Sequence, residues 1–250
     1  MIEILLILVT ILAITIKSKK SLHMLQQNLY NENNRYVKWV VNNSSNFFSL
    51  ELLIVLLVSL ANVFFIDNNT IRLILNIIAI ILYIIYAYKF RLDLKNEQVK
   101  KPLVITARVK RLIATTTVLY LIPIILIIVY RDNLLISHFL IFIFILFAYL
   151  NTFIILLANF INKYTLEKYV YHHFKSMAVK KLRSMPNLKV IGITGSYGKT
   201  SSKNILADIL NIKYATLPTP RNLNTPYGLI ITINNHLDKF TDIFIAEMGA

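Results

Sequence analysis

The fold of the C-terminal part of the chain is decided by residues 188–200, which read LKVIGITGSYGKT. The first half is β-branched and apolar and ends near glycine, which predicts a short, buried, parallel strand. The second half places Gly195 and Gly198 in a tight turn, although the whole chain has only 5 glycines. Residues 199–210 then show the apolar spacing of a helix. The stretch therefore predicts a strand, a glycine loop and a helix in direct succession.

This loop has the three features that a phosphate group requires: converging backbone N–H groups, a positive side chain and the N-terminus of a helix. The glycines leave room for a phosphate against the backbone. Lys199 can reach the β- and γ-phosphates of a nucleotide, and the Thr200 hydroxyl is placed to bind magnesium. We therefore predict a phosphate-binding loop at residues 195–200. The alternative is a glycine turn between strand and helix that carries a surface lysine.

The spacing separates this loop from that of the common ATPases and GTPases. Their pattern G-x-x-x-x-G-K-[ST] would place glycine at position 193, where this chain has Ile193. The match is instead to a shorter form, T-G-S-x-G-K-T. A transporter with a fused nucleotide-binding domain needs the longer spacing, so the loop disfavours that class.

The residues after the loop continue the alternation of strands and helices. Apolar runs predict strands at residues 213–217 and 242–248, with a helix at residues 227–237 between them. Strand, helix, strand, helix, strand is the beginning of an open α/β sheet, which binds ligands at the carboxyl ends of its strands. Residues 187–250 are therefore predicted to be the N-terminal part of a parallel-sheet P-loop ATPase domain.

Residues 1–162 have a different composition, because long stretches carry almost no charge. The chain is 56% hydrophobic with a mean hydropathy of +0.61, and a soluble domain is rarely so apolar. An α-helical transmembrane bundle of about five spans is predicted. The spans are residues 2–16, 47–66, 71–88, 116–130 and 134–161.

The basic residues between the spans predict the orientation of the bundle. The segments after the first and third spans are rich in lysine and arginine, whereas the turns at residues 67–70 and 131–133 have almost no net charge. The positive-inside rule then places the N-terminus outside and everything after residue 161 in the cytosol. A cleaved signal peptide is the alternative for the first span. It is disfavoured because the lysines follow the apolar run instead of preceding it.

Residues 163–186 are basic and amphipathic and are predicted to form a connector helix beside the membrane. Their interleaved apolar side chains favour a helix that lies in the inner headgroup layer, and a solvated linker helix is the alternative. The adjacent His172 and His173 do not predict a metal site, because neighbours on a helix do not face one point.

The chain is strongly basic, with a net charge of +15 from 27 Lys+Arg against 12 Asp+Glu. In a soluble protein this charge would suggest nucleic acid as a partner. Here the apolar spans make anionic lipid headgroups and the positive-inside rule the better explanation. We therefore predict a lipid bilayer as a partner and no nucleic acid. The absence of cysteine excludes disulfides and thiolate metal sites.

Three segments resemble the motifs of the Mur ligase family. The run TGSYGKTSSK, from Thr194, resembles the family's ATP-binding signature. The run TPRNLNTPYG at residues 219–228 looks like its asparagine-containing second nucleotide motif, and IAEMGA at residues 245–250 looks like the strand-end motif whose glutamate binds magnesium. The similarity covers residues 182–250 and is closest to the MurF type, UDP-N-acetylmuramoyl-tripeptide–D-alanyl-D-alanine ligase. A membrane bundle before this domain resembles membrane-anchored Mur-ligase-like proteins of Gram-positive bacteria.

The resemblance implies an ATP-dependent peptide ligase of cell-wall precursor synthesis that uses ATP and Mg²⁺. ATP would phosphorylate a peptide carboxylate to an acyl phosphate, and the amine of an amino acid or dipeptide would then form the amide. The other substrate would be a peptidoglycan precursor, UDP-linked or lipid-linked, and the protein would lie in the plasma membrane of a bacterium. A Mur-like ligase that builds polymers such as polyglutamate is one alternative, and a membrane anchor with a degenerate loop is another.

The resemblance also implies roles for individual residues. Lys199 would be catalytic by neutralising the transferring phosphoryl group, and Thr200 and Glu247 would hold the metal. The nucleotide would be bound by Thr194, Gly195, Ser196, Tyr197, Gly198, Lys199, Thr200, Ser201 and Asn224. The alternatives are a strand-end carboxylate paired with a nearby lysine for Glu247, and a simple turn residue for Asn224.

The sequence ends at Ala250, directly after the acidic motif. In the family, the rest of the sheet, a modified lysine that helps to bind magnesium and a C-terminal domain for the amine substrate follow this motif. We therefore expect an N-terminal fragment that by itself binds nucleotide poorly and is inactive as a ligase.

Overall fold

The computed structural model describes residues 2–30, 35–96, 102–221 and 223–249. The chain divides into two compact units, Met1–Tyr164 and Thr165–Ala250. The first contains only helices among its described residues, and the second combines helices with a parallel sheet. The prediction of a mostly helical chain with a small parallel sheet at its C-terminal end is therefore confirmed.

The N-terminal unit is a bundle whose apolar side chains pack into a common core. Its helices are α1 (Ile2–Gln27), α2 (Val37–Asn42), α3 (Ser44–Phe47), α4 (Leu50–Phe64), α5 (Asn69–Asn96), α6 (Ala107–Val129), α7 (Leu134–Tyr149) and α8 (Asn151–Tyr164). Side chains such as Leu6, Val55 and Phe144 are almost completely buried in one cluster. Leu25 and Ile155 belong to a second cluster. The same apolar residues that suggested membrane spans therefore also hold the helices together.

The predicted hairpin of the second and third spans is formed by α4 and α5. The Ser49 hydroxyl caps α4 by accepting a hydrogen bond from the backbone N–H of Leu52. Inside the hairpin, the Asn62 amide donates to the Asn76 side chain at 2.9 Å, and this bond is buried. Such a bond ties two helices together where no water is available.

The fifth predicted span is not one continuous helix. It breaks at Leu150, and the helix that begins at Asn151 is bent by 81° from α7. Lys17 Nζ donates to the carbonyl of Tyr149 at 2.7 Å, and the Asn151 amide donates to the Tyr120 hydroxyl at 2.9 Å. The Lys17 bond satisfies a carbonyl that the end of α7 leaves open, and the Asn151 bond ties α8 to α6. The partners lie far away along the chain, which is why hydropathy alone did not reveal the break.

Two described helices are long and apolar enough to cross a membrane, Asn69–Asp93 and Ala107–Val129. A third crossing is added when the bent pair that starts with α7 is counted as one span. α4 is apolar but has only 15 residues, and α1 buries Lys17 and Lys20 in its second half. Length and composition therefore support two to three candidate spans, and the count of five stays a prediction.

The C-terminal unit alternates helices and strands after an initial helix. Its elements are α9 (Leu166–Arg183), β1 (Lys189–Ile193), α10 (Lys199–Leu210), β2 (Thr216–Pro218), α11 (Pro226–Asn235) and β3 (Ile243–Glu247). The strands are parallel in the order β1-β3-β2. β3 is therefore the central strand, and all of its residues are buried.

The order of elements agrees with the sequence prediction, but the second strand begins later. It was predicted from Lys213, whereas β2 begins at Thr216. The backbone N–H groups of Lys213 and Tyr214 both donate to the carbonyl of Leu210, at 3.1 and 2.9 Å. The chain therefore turns at the end of α10 before it becomes extended.

α9 packs against α11 within this unit. Lys181 Nζ donates to the carbonyl of Asn234 at 3.0 Å, and the Asn234 amide donates to the carbonyl of Phe174 at 3.0 Å. Ala178 of α9 and Ile230 of α11 are buried in the same cluster. One face of the helix predicted to lie beside the membrane is thus used for packing inside the α/β unit.

The two faces of β3 are covered by different helices. Ile243 and Ile245 pack with Ala207 of α10, whereas Phe244 and Ala246 pack with the side of the sheet covered by α11. The alternation follows from the period of two of a strand. This packing brings the carboxyl ends of β1 and β3 and the N-terminus of α10 to one edge of the sheet.

Candidate nucleotide-binding site

The glycine loop connects β1 to α10 at this edge. Gly198 immediately precedes the helix with a φ of 74°, and Gly195 has a φ of 147°. Both values lie where a side chain would be strained, so glycine is required for the turn. No side chain caps the first turn of α10 at Gly198. The backbone N–H groups of this turn therefore point outward and are suited to an anion.

Lys199 is the first residue of α10 and folds back over the loop. Its ammonium donates a hydrogen bond to the carbonyl oxygen of Gly195. A phosphate oxygen would be a stronger acceptor for this ammonium than the Gly195 carbonyl oxygen, because a hydrogen bond to a charged acceptor is stronger than one to a neutral acceptor. Its position beside the backbone turn agrees with the predicted phosphate contact.

Glu247 is the last residue of β3, and its side chain is only 3% exposed. The Thr200 hydroxyl lies 3.1 and 3.2 Å from its two carboxylate oxygens. The Asn224 amide donates to Oε1 at 3.4 Å. The three side chains come from a strand, a helix and a loop that are distant in sequence. The structure therefore brings together Thr200, Asn224 and Glu247, all of which the sequence had singled out.

Lys203 is the residue of this site that sequence reasoning missed. Its ammonium lies 2.9 Å from Oε2 of Glu247, and its side chain is 2% exposed. It also donates to the carbonyl of Arg221 at 3.0 Å. A signal was available, because Lys203 follows Thr200 by three residues and so lies on the same face of α10. The pairing of Glu247 with a nearby lysine, which had been the alternative to a metal role, is thus present.

The Glu247 carboxyl is held in its ionised form by these contacts. The Lys203 hydrogen bond is the main cause that lowers the pKa of this carboxyl below its usual value, and the bonds from Thr200 and Asn224 act in the same direction. Burial opposes them, because desolvation disfavours a charge. The carboxylate is therefore negative at neutral pH, and Lys203 is its cationic partner in this structure.

The asparagine loop is fixed by close contacts on both sides of Asn224. The carbonyl of Asn224 accepts a hydrogen bond of 2.7 Å from the N–H of Gly249. A Cβ added to Gly228, in the first turn of α11, would lie 2.7 Å from the backbone of Leu223, so glycine is needed there. Asn222, in the same motif, lies outside the described residues.

The residues present fit a magnesium ion that is shared with phosphate oxygens. Lys203 engages Oε2 of Glu247, whereas Oε1 faces the Thr200 hydroxyl and the Asn224 amide. Magnesium prefers oxygen ligands and is commonly held by one or two carboxylates together with substrate phosphates. Among the described residues no group of three or more His, Cys, Asp or Glu side chains is arranged to hold a metal by itself. A metal at this site would therefore depend on a bound nucleotide.

The other predicted nucleotide contacts lie on the outside of the loop and helix. Thr194, Ser196 and Ser201 are exposed. Tyr197 is 97% exposed, so its ring has no packing role in this structure. These residues border the loop, and their contacts with a nucleotide stay a prediction.

The C-terminal segment of the chain is similar in sequence to a known protein family. Residues 193–250 match the family described as Mur ligase middle domain. The UDP-N-acetylmuramoyl-tripeptide–D-alanyl-D-alanine ligase of Buchnera aphidicola subsp. Baizongia pistaciae (strain Bp) is 42% identical over 69 residues, which are 28% of this chain and 15% of that protein. The protein of the same name from Bacillus subtilis (strain 168) is 38% identical over 61 residues, 24% of this chain and 13% of that protein. No solved structure matches the chain significantly.

These matches confirm the resemblance to Mur ligases for the C-terminal segment. They include the phosphate loop, the asparagine loop and Glu247, because all three lie between residues 193 and 250. The matched stretch spans only 15% and 13% of the length of the two relatives. The similarity alone therefore does not assign the complete activity of these relatives to this chain.

Proposed function

Because residues 193–250 match the Mur ligase middle domain, we propose that the protein is an ATP-dependent amide ligase of cell-wall precursor synthesis. The observation that carries the proposal is the convergence of Thr200, Asn224 and Glu247 beside the glycine loop. Ligands of open parallel sheets bind at this edge, outside the carboxyl ends of the strands. Both relatives are named UDP-N-acetylmuramoyl-tripeptide–D-alanyl-D-alanine ligase, and this name supports the same class of reaction.

The nucleotide is ATP, bound with its phosphates over the glycine loop. The N–H groups of the first turn of α10 and the ammonium of Lys199 contact the β- and γ-phosphates. Thr200 and Glu247 would hold a magnesium ion, and the Asn224 amide would lie beside it. The ion would supply positive charge that stabilises the charge that develops on the phosphate groups.

The reaction takes place in two steps. A carboxylate oxygen of the peptide substrate attacks the γ-phosphorus, the bond from that phosphorus to the bridging oxygen breaks, and ADP leaves. The amine of an amino acid or dipeptide then attacks the acyl carbon, phosphate leaves with the electron pair of the C–O bond, and the nitrogen loses a proton. Lys199 stabilises the charge on the phosphoryl group during its transfer.

The N-terminal unit serves as the membrane anchor of the enzyme. The proposed bundle of five spans has its N-terminus outside and leaves the C-terminal unit in the cytosol, where ATP is available. The basic segments after the first and third spans support this orientation through the positive-inside rule. The peptide substrate is a peptidoglycan precursor, UDP-linked or lipid-linked.

A ligation assay tests this function. We expect a full-length version of the protein, purified in detergent and given MgATP, UDP-N-acetylmuramoyl-tripeptide and D-alanyl-D-alanine, to form ADP and a product that is one water lighter than the sum of the two substrates, whereas the 250-residue chain alone should form neither. ADP formation should require both substrates, and the Lys199→Ala variant should form none above background. Turnover with glutamate alone would point to a polyglutamate-type ligase. ADP formation that does not depend on either substrate would contradict the proposed ligase activity.

A further inference from the structure

A groove between α1 and α6 runs along the N-terminal unit, with Phe144 of α7 among the residues that line it. Ile11 and Ile14 of α1 face Leu121 and Ile124 of α6 across it. Its volume of about 500 Å³ falls within the roughly 300–1,000 Å³ of typical ligand pockets. Ile11 and Leu121 are also exposed, so the groove is open along one side. Such a space accepts a hydrocarbon chain.

Polar side chains lie in one part of this groove. Thr15, Ser18 and Lys19 of α1 line it together with Thr116 and Thr117 of α6. Lys19 is the one charged side chain among the residues that line the groove in the described part of the chain. Among the described residues that line the groove, none is acidic.

The polar part is set apart from the apolar part along α1. Lys19 follows Ile11 by eight residues, which is about 12 Å along a helix axis. Beyond Lys19, the Gln26 side chain bonds to the backbone of Val104 in both directions, at 2.8 and 3.0 Å. This contact holds the segment with Leu103 and Ile105 against the groove. The shape therefore suits a ligand with an anionic group near Lys19 and an apolar chain that extends toward Ile11.

The two neighbouring lysines are already used inside the unit. Lys17 is buried and bonded to the carbonyl of Tyr149, and Lys20 lies 5.8 Å over the ring of Trp39. Lys19 is exposed and faces the groove. The charge at the groove therefore belongs to Lys19 alone among these three lysines.

The surroundings favour a lipid as the occupant. α6 is one of the two described helices that are long and apolar enough to cross a membrane. Its Val118, Ile122 and Ile125 are 57%, 52% and 55% exposed. Apolar exposure of this extent along a membrane-length helix is suited to contact with acyl chains.

We propose that this groove binds one anionic phospholipid of the surrounding bilayer. One acyl chain lies against Ile11, Ile124 and Phe144, and the phosphate contacts the Lys19 ammonium and the Ser18 hydroxyl. A lysine near an anionic membrane surface contributes enough attraction to favour an anionic headgroup about fivefold. The proposal depends on the membrane location of the N-terminal unit and not on the ligase reaction.

Lipid binding to the detergent-purified full chain tests the site by native mass spectrometry. Phosphatidylglycerol and phosphatidylcholine with the same acyl chains are titrated in parallel. We expect the wild type to bind phosphatidylglycerol about fivefold more tightly than phosphatidylcholine. The Lys19→Gln variant should lose this preference and keep its affinity for phosphatidylcholine. Lys38→Gln removes an exposed lysine of α2 as the matched control and should keep the preference.

A second variant tests the apolar part. Thr117→Trp fills the groove and should lower the affinity for both lipids at least tenfold. Leu121→Phe provides a milder change if the tryptophan variant does not fold. Equal affinity for the two lipids in the wild type, or an unchanged preference in Lys19→Gln, would overturn the proposal. So would a polyprenyl phosphate that binds where phosphatidylglycerol does not, or a dimer of the chain that excludes both lipids.

Discussion

Replacing Lys203 by methionine is expected to destabilise the strand β3 by about 3–5 kcal/mol, because removal of one partner leaves a buried charge uncompensated. The remaining charge would be Glu247, whose side chain is 3% exposed. The same change removes the bond from Lys203 to the carbonyl of Arg221. Amide hydrogen exchange of β3 measures the effect, since its protection reports the free energy of local opening. Exchange should accelerate by about two to four orders of magnitude.

Two further variants separate the ion pair from other causes. Lys213→Met changes an exposed lysine in the turn after α10 and should alter the free energy by no more than about 0.5 kcal/mol. The double variant Lys203→Met/Glu247→Leu removes both charges and should recover most of the protection, because an apolar pair of similar volume is tolerated in place of a buried ion pair. Equal protection in wild type and Lys203→Met would show that the pair does not hold this edge of the sheet.

Replacing Lys199 by alanine is expected to weaken ATP binding about 10–100-fold. A hydrogen bond to a charged group contributes about 1.5–3 kcal/mol, and each 1.4 kcal/mol is a factor of ten in affinity. The fold should not change, because the Lys199 ammonium bonds only to the carbonyl of Gly195 among the described contacts. Isothermal titration of a full-length version of the protein with MgATP measures the difference.

The control for this experiment is Lys189→Ala at the beginning of β1. Lys189 is exposed and lies at the opposite end of the strand from the loop, so its loss should leave the affinity for ATP unchanged. Equal affinity for ATP in wild type and Lys199→Ala would mean that the loop is a glycine turn with a surface lysine.

The α/β unit was predictable because its signals are local. The helix from Lys199 to Leu210 has the predicted bounds, since glycine at Gly198 marks its beginning and the apolar spacing marks its length. The meeting of Thr200 with Glu247 was implied by the resemblance to Mur ligases, and it agrees with the rule that ligands of parallel sheets bind at the carboxyl ends of the strands. A lysine partner for Glu247 was predicted only as an alternative, and this lysine was not identified as Lys203 from the sequence pattern.

The helical unit shows where hydropathy stops being informative. An apolar run from residue 134 to 161 indicates one span, but the chain bends beside Leu150. The bend is held by Lys17, which lies 132 residues from Tyr149, and by Asn151. Polar contacts of this kind depend on how helices pack in three dimensions. They cannot be predicted from the composition of the sequence or from the period of its apolar residues.

The amphipathic segment 163–186 is an intermediate case. Its pattern predicted a helix with one apolar face, and α9 is that helix. The pattern alone did not say what the apolar face would cover. The contacts of Ala178 and Lys181 show that one face of α9 packs against α11. Tyr169, Phe174 and Met177 stay exposed, so most of the predicted apolar face is not used in this packing.

The central claim is that the C-terminal unit binds a magnesium-nucleotide complex, and ATP titration with and without magnesium tests it most directly. We predict that magnesium tightens ATP binding by a full-length wild type at least tenfold, because Thr200 and Glu247 would hold the ion beside the phosphates. Glu247→Gln should lose most of this enhancement. Absence of ATP binding by the folded protein, or an affinity that is the same with and without magnesium, would contradict the account.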